Sequence, residues 1–189
     1  MMRVLFLTFL MGLATLGMQA QNITVAEQDF YDETLLLTSD STAIKLPREN
    51  AYIKTKASAS MYLFEIGKIK SRITLDGKNS AVQVPQAPVI RLIIKVKDNN
   101  TDPNSFISLF RFDLKKSERR IQLSEVGTFS GSKKNSLAKI AYQAEKYGEN
   151  SYLLTLHNPP AGEYGISLGN PDTRTEKNQL KITTFGIAD

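Results

Sequence analysis

Val89-Ile90-Arg91-Leu92-Ile93-Ile94-Lys95-Val96-Lys97 decides the fold class. Ile90, Leu92, Ile94 and Val96 occupy alternate positions, and Arg91, Lys95 and Lys97 alternate with them. A strand sends successive side chains to opposite faces, so this stretch sorts into one apolar and one charged face, whereas a helix would scatter both sets around its circumference. The same two-residue period recurs on both sides. It predicts strands at 34–38, 43–46, 51–56, 61–66 and 72–76 before the quoted stretch. After it come 106–112, 120–126, 151–157, 163–168 and 180–187. In 61–66, Tyr62, Phe64 and Ile66 share a face. In 106–112 both faces are apolar, which predicts a strand covered on both sides. Residues 137–146 fit a short helix through Leu137, Ile140, Ala141 and Ala144, or a strand through Ile140, Tyr142 and Ala144; the strand is preferred for Tyr142 and its neighbours.

The breaks between these segments carry turn chemistry. Asp76-Gly77 reads as a tight hairpin turn, because glycine adopts positive φ at no steric cost, and Ala81–Val84 reads as its return strand. Lys115-Lys116-Ser117-Glu118 turns the chain again. Short strands at this spacing imply an all-β fold, an antiparallel β-sandwich, immunoglobulin-like or jelly-roll-like, with about ten strands.

The N-terminus has a different composition. Arg3 precedes the apolar run VLFLTFLMGLATLG at residues 4–17, and Met18-Gln19-Ala20 stands before Gln21. That order matches a signal peptide over 1–20, cleaved after Ala20, with cleavage after Ala26 as the fallback and an uncleaved anchor as the competing reading. The run is short for a membrane span, and no later stretch approaches the required length. Residues 21–33 then form an acidic N-terminal arm, a leader strand or a loosely held segment. Residues 34–189 form a single β-sandwich domain. The expected location is secreted or periplasmic, in a Gram-negative bacterial envelope.

The chain has 189 residues, a formal charge of +5 and no cysteine. Lack of cysteine excludes a disulfide framework, a thiol nucleophile, a thiolate metal site and a lipidated N-terminus. Positive charge leaves room for an anionic surface as partner.

Pro159-Pro160-Ala161-Gly162-Glu163-Tyr164, ahead of an alternating strand, resembles the tyrosine corner of immunoglobulin-like sandwiches, in which a tyrosine hydroxyl bonds backbone a few residues upstream. Together with the leader ending before Gln21 and the absence of a lipidation cysteine, the whole chain resembles exported all-β proteins of Bacteroidetes type. The resemblance implies fold and compartment, and no activity.

Residues with chemistry to offer each have a plainer reading. Asp98, Asn100, Asp102 and Asn104 alternate and could wrap a calcium ion, but Pro103 and Leu109 stand where an EF-hand has its glycine and bidentate glutamate. A loop bonding its own backbone explains them as well. His157 is the sole histidine, and Ser130 lacks the glycine two positions earlier that a nucleophile elbow needs. Glu65, Asp76, Asp113 and Glu125 are the candidate acids for a two-carboxylate glycosidase. Lys115, Lys116, Arg119, Arg120 and the pair Lys133-Lys134 read as solvated hairpin tips, without the interleaved aromatics of a nucleic-acid surface. Asn22-Ile23-Thr24 and Asn99-Asn100-Thr101 match the glycosylation pattern, which matters only in a eukaryotic pathway. Tyr31, Tyr142 and Tyr147 are the candidate sugar-stacking rings.

No catalytic, cofactor or metal residues are therefore assigned. The expected function is an exported non-catalytic β-sandwich protein that binds a protein or polysaccharide partner or serves in the cell envelope. The alternative is a carbohydrate-binding module acting on a polysaccharide.

Overall fold

The computed structural model describes residues 22–57, 68–127, 133–135, 137–169 and 179–189. Those residues form fourteen strands and one 3₁₀ turn at Pro103–Ser105. The strands are β1 (Thr34–Leu37), β2 (Ala43–Lys45), β3 (Arg48–Ala57), β4 (Lys68–Asp76), β5 (Gln83–Pro85), β6 (Val89–Lys95) and β7 (Ile107–Arg111). They continue with β8 (Asp113–Lys115), β9 (Glu118–Gly127), β10 (Lys133–Asn135), β11 (Gln143–Tyr147), β12 (Ser151–His157), β13 (Gly162–Leu168) and β14 (Gln179–Ala188).

Two sheets pack together. One has the order β11-β12-β6-β1-β2, and its pairs are all antiparallel. The other runs β10-β9-β4-β3-β14-β13-β7. It nearly closes into a barrel, because β7 pairs with β13 while β8, one residue further on, pairs with β9. Phe112 is the joint: its amide donates to Glu163 O at 2.8 Å, so the closing strand serves both ends of the sheet.

Alternation divides the interior into two cores. Ile90, Leu92, Ile94 and Val96 meet Leu154, Leu156, Tyr164, Ile166, Phe185 and Ile187 between the sheets. The barrel encloses Ala51, Ile73, Leu75, Phe110, Phe112, Ile121, Leu123 and Ile182. β7 serves both, with Leu109 in the first core and Phe110 in the second, as its two apolar faces predict. Tyr164 Oη donates to Pro160 O, four residues upstream, and its ring stacks on Phe185 at 5.1 Å between centroids.

Four expectations change. Asp76-Gly77 is a turn, with Gly77 at φ +83°, but its return strand does not pair with β4. Both edges of β4 are taken by β3 and β9, so β5 crosses to lie parallel to β14. The charged face of β6 is not a solvent face, since Ile93 is fully buried and the 22–33 arm lies against that face. That arm is pinned rather than loose. Finally, Arg119 is no hairpin-tip cation, being 1% exposed. The strand preferred for 137–146 forms only from Gln143, as Gln143–Tyr147, while 137–142 is irregular apart from a single bridge between Lys139 and Phe110. The leader at 1–20 and the strand expected at 61–66 lie outside the described residues.

Candidate functional site

The arm is tied down along its length. Thr24 N donates to Asp40 O at 2.8 Å, Tyr147 Oη donates to Val25 O, and Gln28 Nε2 donates to Ile93 O at 2.7 Å. Asp32 N donates to Lys95 O at 3.0 Å, and Lys95 N donates to Glu33 O at 2.9 Å. Glu27 is the main anchor. It accepts from Ser151 Oγ at 2.6 Å, Glu149 N at 2.9 Å and Asn150 N at 3.0 Å, at the tip of the β11–β12 hairpin. Burial alone would raise its pKa, but these hydrogen bonds and the Lys95 charge outweigh burial and hold it at about 2. Gly148 turns that tip at φ +56°, and a side chain there would collide with the Glu27 carboxyl. A pinned segment therefore presents Phe30 and Tyr31 at a turn, 69% and 48% exposed.

Facing Tyr31 is the 98–106 loop, equally well held. Asn99 is buried and donates Nδ2 to Ser151 O at 3.2 Å, and Tyr152 Oη donates to Thr101 O. Asp98 Oδ1 accepts from Asn100 N at 3.0 Å, and Asp102 Oδ1 from Asn104 N and Nδ2, both at 3.0 Å. The alternating acids thus brace their own loop, as Asx residues do. Phe106 packs against Tyr152 at 6.2 Å between ring centroids. Between arm and loop lies a recess of about 250 Å³ lined by Tyr31, Val96, Lys97, Asp98, Thr101, Ser105 and Phe106. Lys97 Nζ sits 5.7 Å from the Tyr31 ring centroid, within cation–π range. Rings, two hydroxyls, a carboxylate and an ammonium converge on one small concavity.

A second cluster fills one end of the barrel. Arg119 Nη2 and Nη1 donate to the two oxygens of Glu49 at 2.6 and 3.0 Å, a bidentate pair. Glu163, 5% exposed, lies 3.9 Å from Arg119 Nη1. Its Oε2 accepts from Ser80 N at 2.7 Å and Ser80 Oγ at 2.5 Å, and its Oε1 from Gln83 Nε2 at 2.8 Å. Arg119 also donates to Gly77 O and Asp76 O, so the turn after β4 is held by the same guanidinium. Burial raises the Glu49 pKa, but Arg119 and Thr184 donate to the carboxylate and bring it below the ordinary value. These two acids were missed in the sequence. The available signal was phase: Glu49 alternates with Ala51 and Ile53, and Arg119 with Ile121 and Leu123, on the inward side.

The residues singled out from the sequence fare differently. Asp76 and Asp113 are exposed, on different strands, while Glu65, Ser130 and the side chains of Glu125, Lys133 and Lys134 lie outside the described residues. His157 is exposed and bonds Gln143 Oε1 at 3.0 Å. Tyr142 packs against the intersheet core and donates to Ile107 O at 3.0 Å, and burial, then the Asp102 charge, push its pKa to about 12. Tyr147 is spent on Val25. Of the three candidate rings, Tyr31 lines the recess described above. Lys115 and Lys116 are exposed at the β8–β9 turn, where Lys116 has φ +57°.

Among the described residues no group of three or more His, Cys, Asp or Glu is placed to hold a metal ion, and no helix is long and apolar enough to cross a membrane. No protein-family model matches the chain, and a search of curated proteins finds no significant relative.

Proposed function

We propose that this chain is an exported, non-catalytic binding domain of a bacterial envelope, which meets a protein or polysaccharide partner at the rim formed by residues 29–32 and 97–106. The observation that carries this reading is the Phe30–Tyr31 pair, exposed on a segment pinned on both sides. Large aromatic rings held in place give contact area with little ordering entropy left to lose, which is how binding anchors are made. The non-catalytic half is supported by the use of three acids that the fold ties down. Glu27, Glu49 and Glu163 are committed to backbone amides, hydroxyls or Arg119.

The placement of the arm favours cleavage after Ala20 over cleavage after Ala26. Cleavage after Ala20 leaves Thr24 and Val25 to make their bonds with Asp40 and Tyr147. Cleavage after Ala26 would remove both and put a charged amine beside the Glu27 anchor. N-terminal sequencing of protein recovered from the periplasm or medium is expected to begin at Gln21. Recovery of the intact leader in the cytoplasm would refute export. Binding is tested by cosedimentation of the mature protein with isolated envelope fragments. The parent is expected to sediment and the Phe30→Ser/Tyr31→Ser variant to stay in solution; equal behaviour of the two refutes the reading.

A further inference from the structure

We propose that the recess between Tyr31 and Phe106 receives one uncharged pyranose unit of a glycan chain. The inference rests on the binding reading above and names the ligand class of the same surface. Size comes first. Pockets for drug-sized ligands run from roughly 300 to 1,000 Å³. The recess, at about 250 Å³, falls below that range and suits a single ring rather than an extended ligand.

Chemistry narrows the class. A sugar ring has apolar C–H faces and a rim of hydroxyls that both donate and accept. The recess answers both parts. Tyr31 and Phe106 supply ring surface, with Val96 beneath. The Thr101 hydroxyl can donate or accept, the Ser105 hydroxyl, which donates its proton to Asp102 O at 2.6 Å, can accept, the Asp98 carboxylate accepts and the Lys97 ammonium donates. Asp98 uses Oδ1 on Asn100 N, and Oδ2 has no hydrogen bond among the described residues.

Charge narrows it further. Lys97 and Asp98 balance, so the lining has no net charge to attract a sulfate, phosphate or uronate. A cationic ligand gains nothing either. An uncharged sugar is the ligand for which both charges serve as hydrogen-bonding groups. Both walls are held in advance, one by the Glu27 anchor and the other by Asn99 and Tyr152, so little order has to be created on binding.

The test is affinity electrophoresis of the mature protein through gels containing starch, mannan, xylan or β-1,3-glucan, with dextran sulfate as the anionic control. Titration calorimetry with oligosaccharides of any retarding polymer follows. Retardation by at least one neutral polymer is expected, with none by dextran sulfate beyond its salt-sensitive background. Tyr31→Ala and Asp98→Asn should each weaken binding by about tenfold or more while leaving the circular dichroism spectrum unchanged. Binding that survives both substitutions overturns the site. No retardation by any neutral polymer overturns the ligand class. If envelope fragments still retain the protein through Phe30 and Tyr31, and protease treatment of the fragments abolishes this, the partner is a protein and the glycan inference alone fails. If neither gels nor fragments retain it, both readings fail.

Discussion

The intersheet core and the barrel core are built by the same alternation and filled with different chemistry. Between the sheets, inward positions of β6, β12, β13 and β14 carry aliphatic and aromatic side chains. Inside the barrel the inward rows begin apolar and end charged. Glu49 follows in phase from Ala51, Arg119 from Ile121, and Glu163 from Gly165. An apolar core gains by removing surface from water and tolerates no unpaired polar atom. A charged core end is held by mutual satisfaction, so loss of one member strands the rest. The first core gives cohesion. The second fixes which strands meet, since Arg119 joins β9 to β3, to the turn after β4 and to the neighbourhood of β13.

The contrast predicts unequal responses to substitution. Arg119→Met should have the largest effect, about 4 kcal/mol in urea unfolding, because Glu49 and Glu163 lose their shared cation. A loss under about 1 kcal/mol would show that the barrel end is as forgiving as an exposed ion pair. Leu92→Ala, in the intersheet core, should lose about 3 kcal/mol through lost transfer energy and a cavity. That loss should not change with pH, whereas the Arg119→Met deficit should shrink in acid as the stranded Glu49 carboxylate, held below its ordinary pKa in the parent, protonates.

Glu27→Gln sharpens the comparison from outside both cores. Its folded pKa of about 2 lies below the ordinary value of 4.5. Its contribution is therefore complete above about pH 4.5 and disappears as pH falls through 2. The variant should lose on the order of 2 kcal/mol at pH 6, after allowance for screening at a partly exposed site, and converge with the parent near pH 2. Parallel unfolding curves across that window would contradict the anchor. Smallest of all, Tyr31→Ala should change stability by less than about 0.5 kcal/mol, since Tyr31 serves the surface.

How much of this was legible depends on what alternation can report. It locates strands and faces, so Val89–Val96, the doubly apolar 106–112 segment and the closing strand at 180–187 were readable. It does not say which strand lies beside which. Asp76-Gly77 looked like a hairpin because turn chemistry is local, while the edges of β4 were filled by strands distant in the chain. The arm was unreadable for a related reason: Glu27 finds its partners more than a hundred residues away, at 149–151. Arg119 was within reach. A charge in phase with Ile121 and Leu123 marks a buried network, yet its neighbours Lys115, Lys116 and Arg120 made it look like part of a solvated tip. Of the site, Tyr31 was visible as a candidate ring. Its recess was not, because the opposite wall comes from a loop whose acids suggested calcium.

The claim that the barrel end is locked by charge is tested most directly by a double-mutant cycle on Arg119→Met and Glu49→Gln, read by urea unfolding at pH 7. Coupling of about 1 kcal/mol or more between the two is expected, since each substitution removes the other's partner. Losses that add to within about 0.3 kcal/mol would mean that the guanidinium and the carboxylate act independently, and would contradict the account.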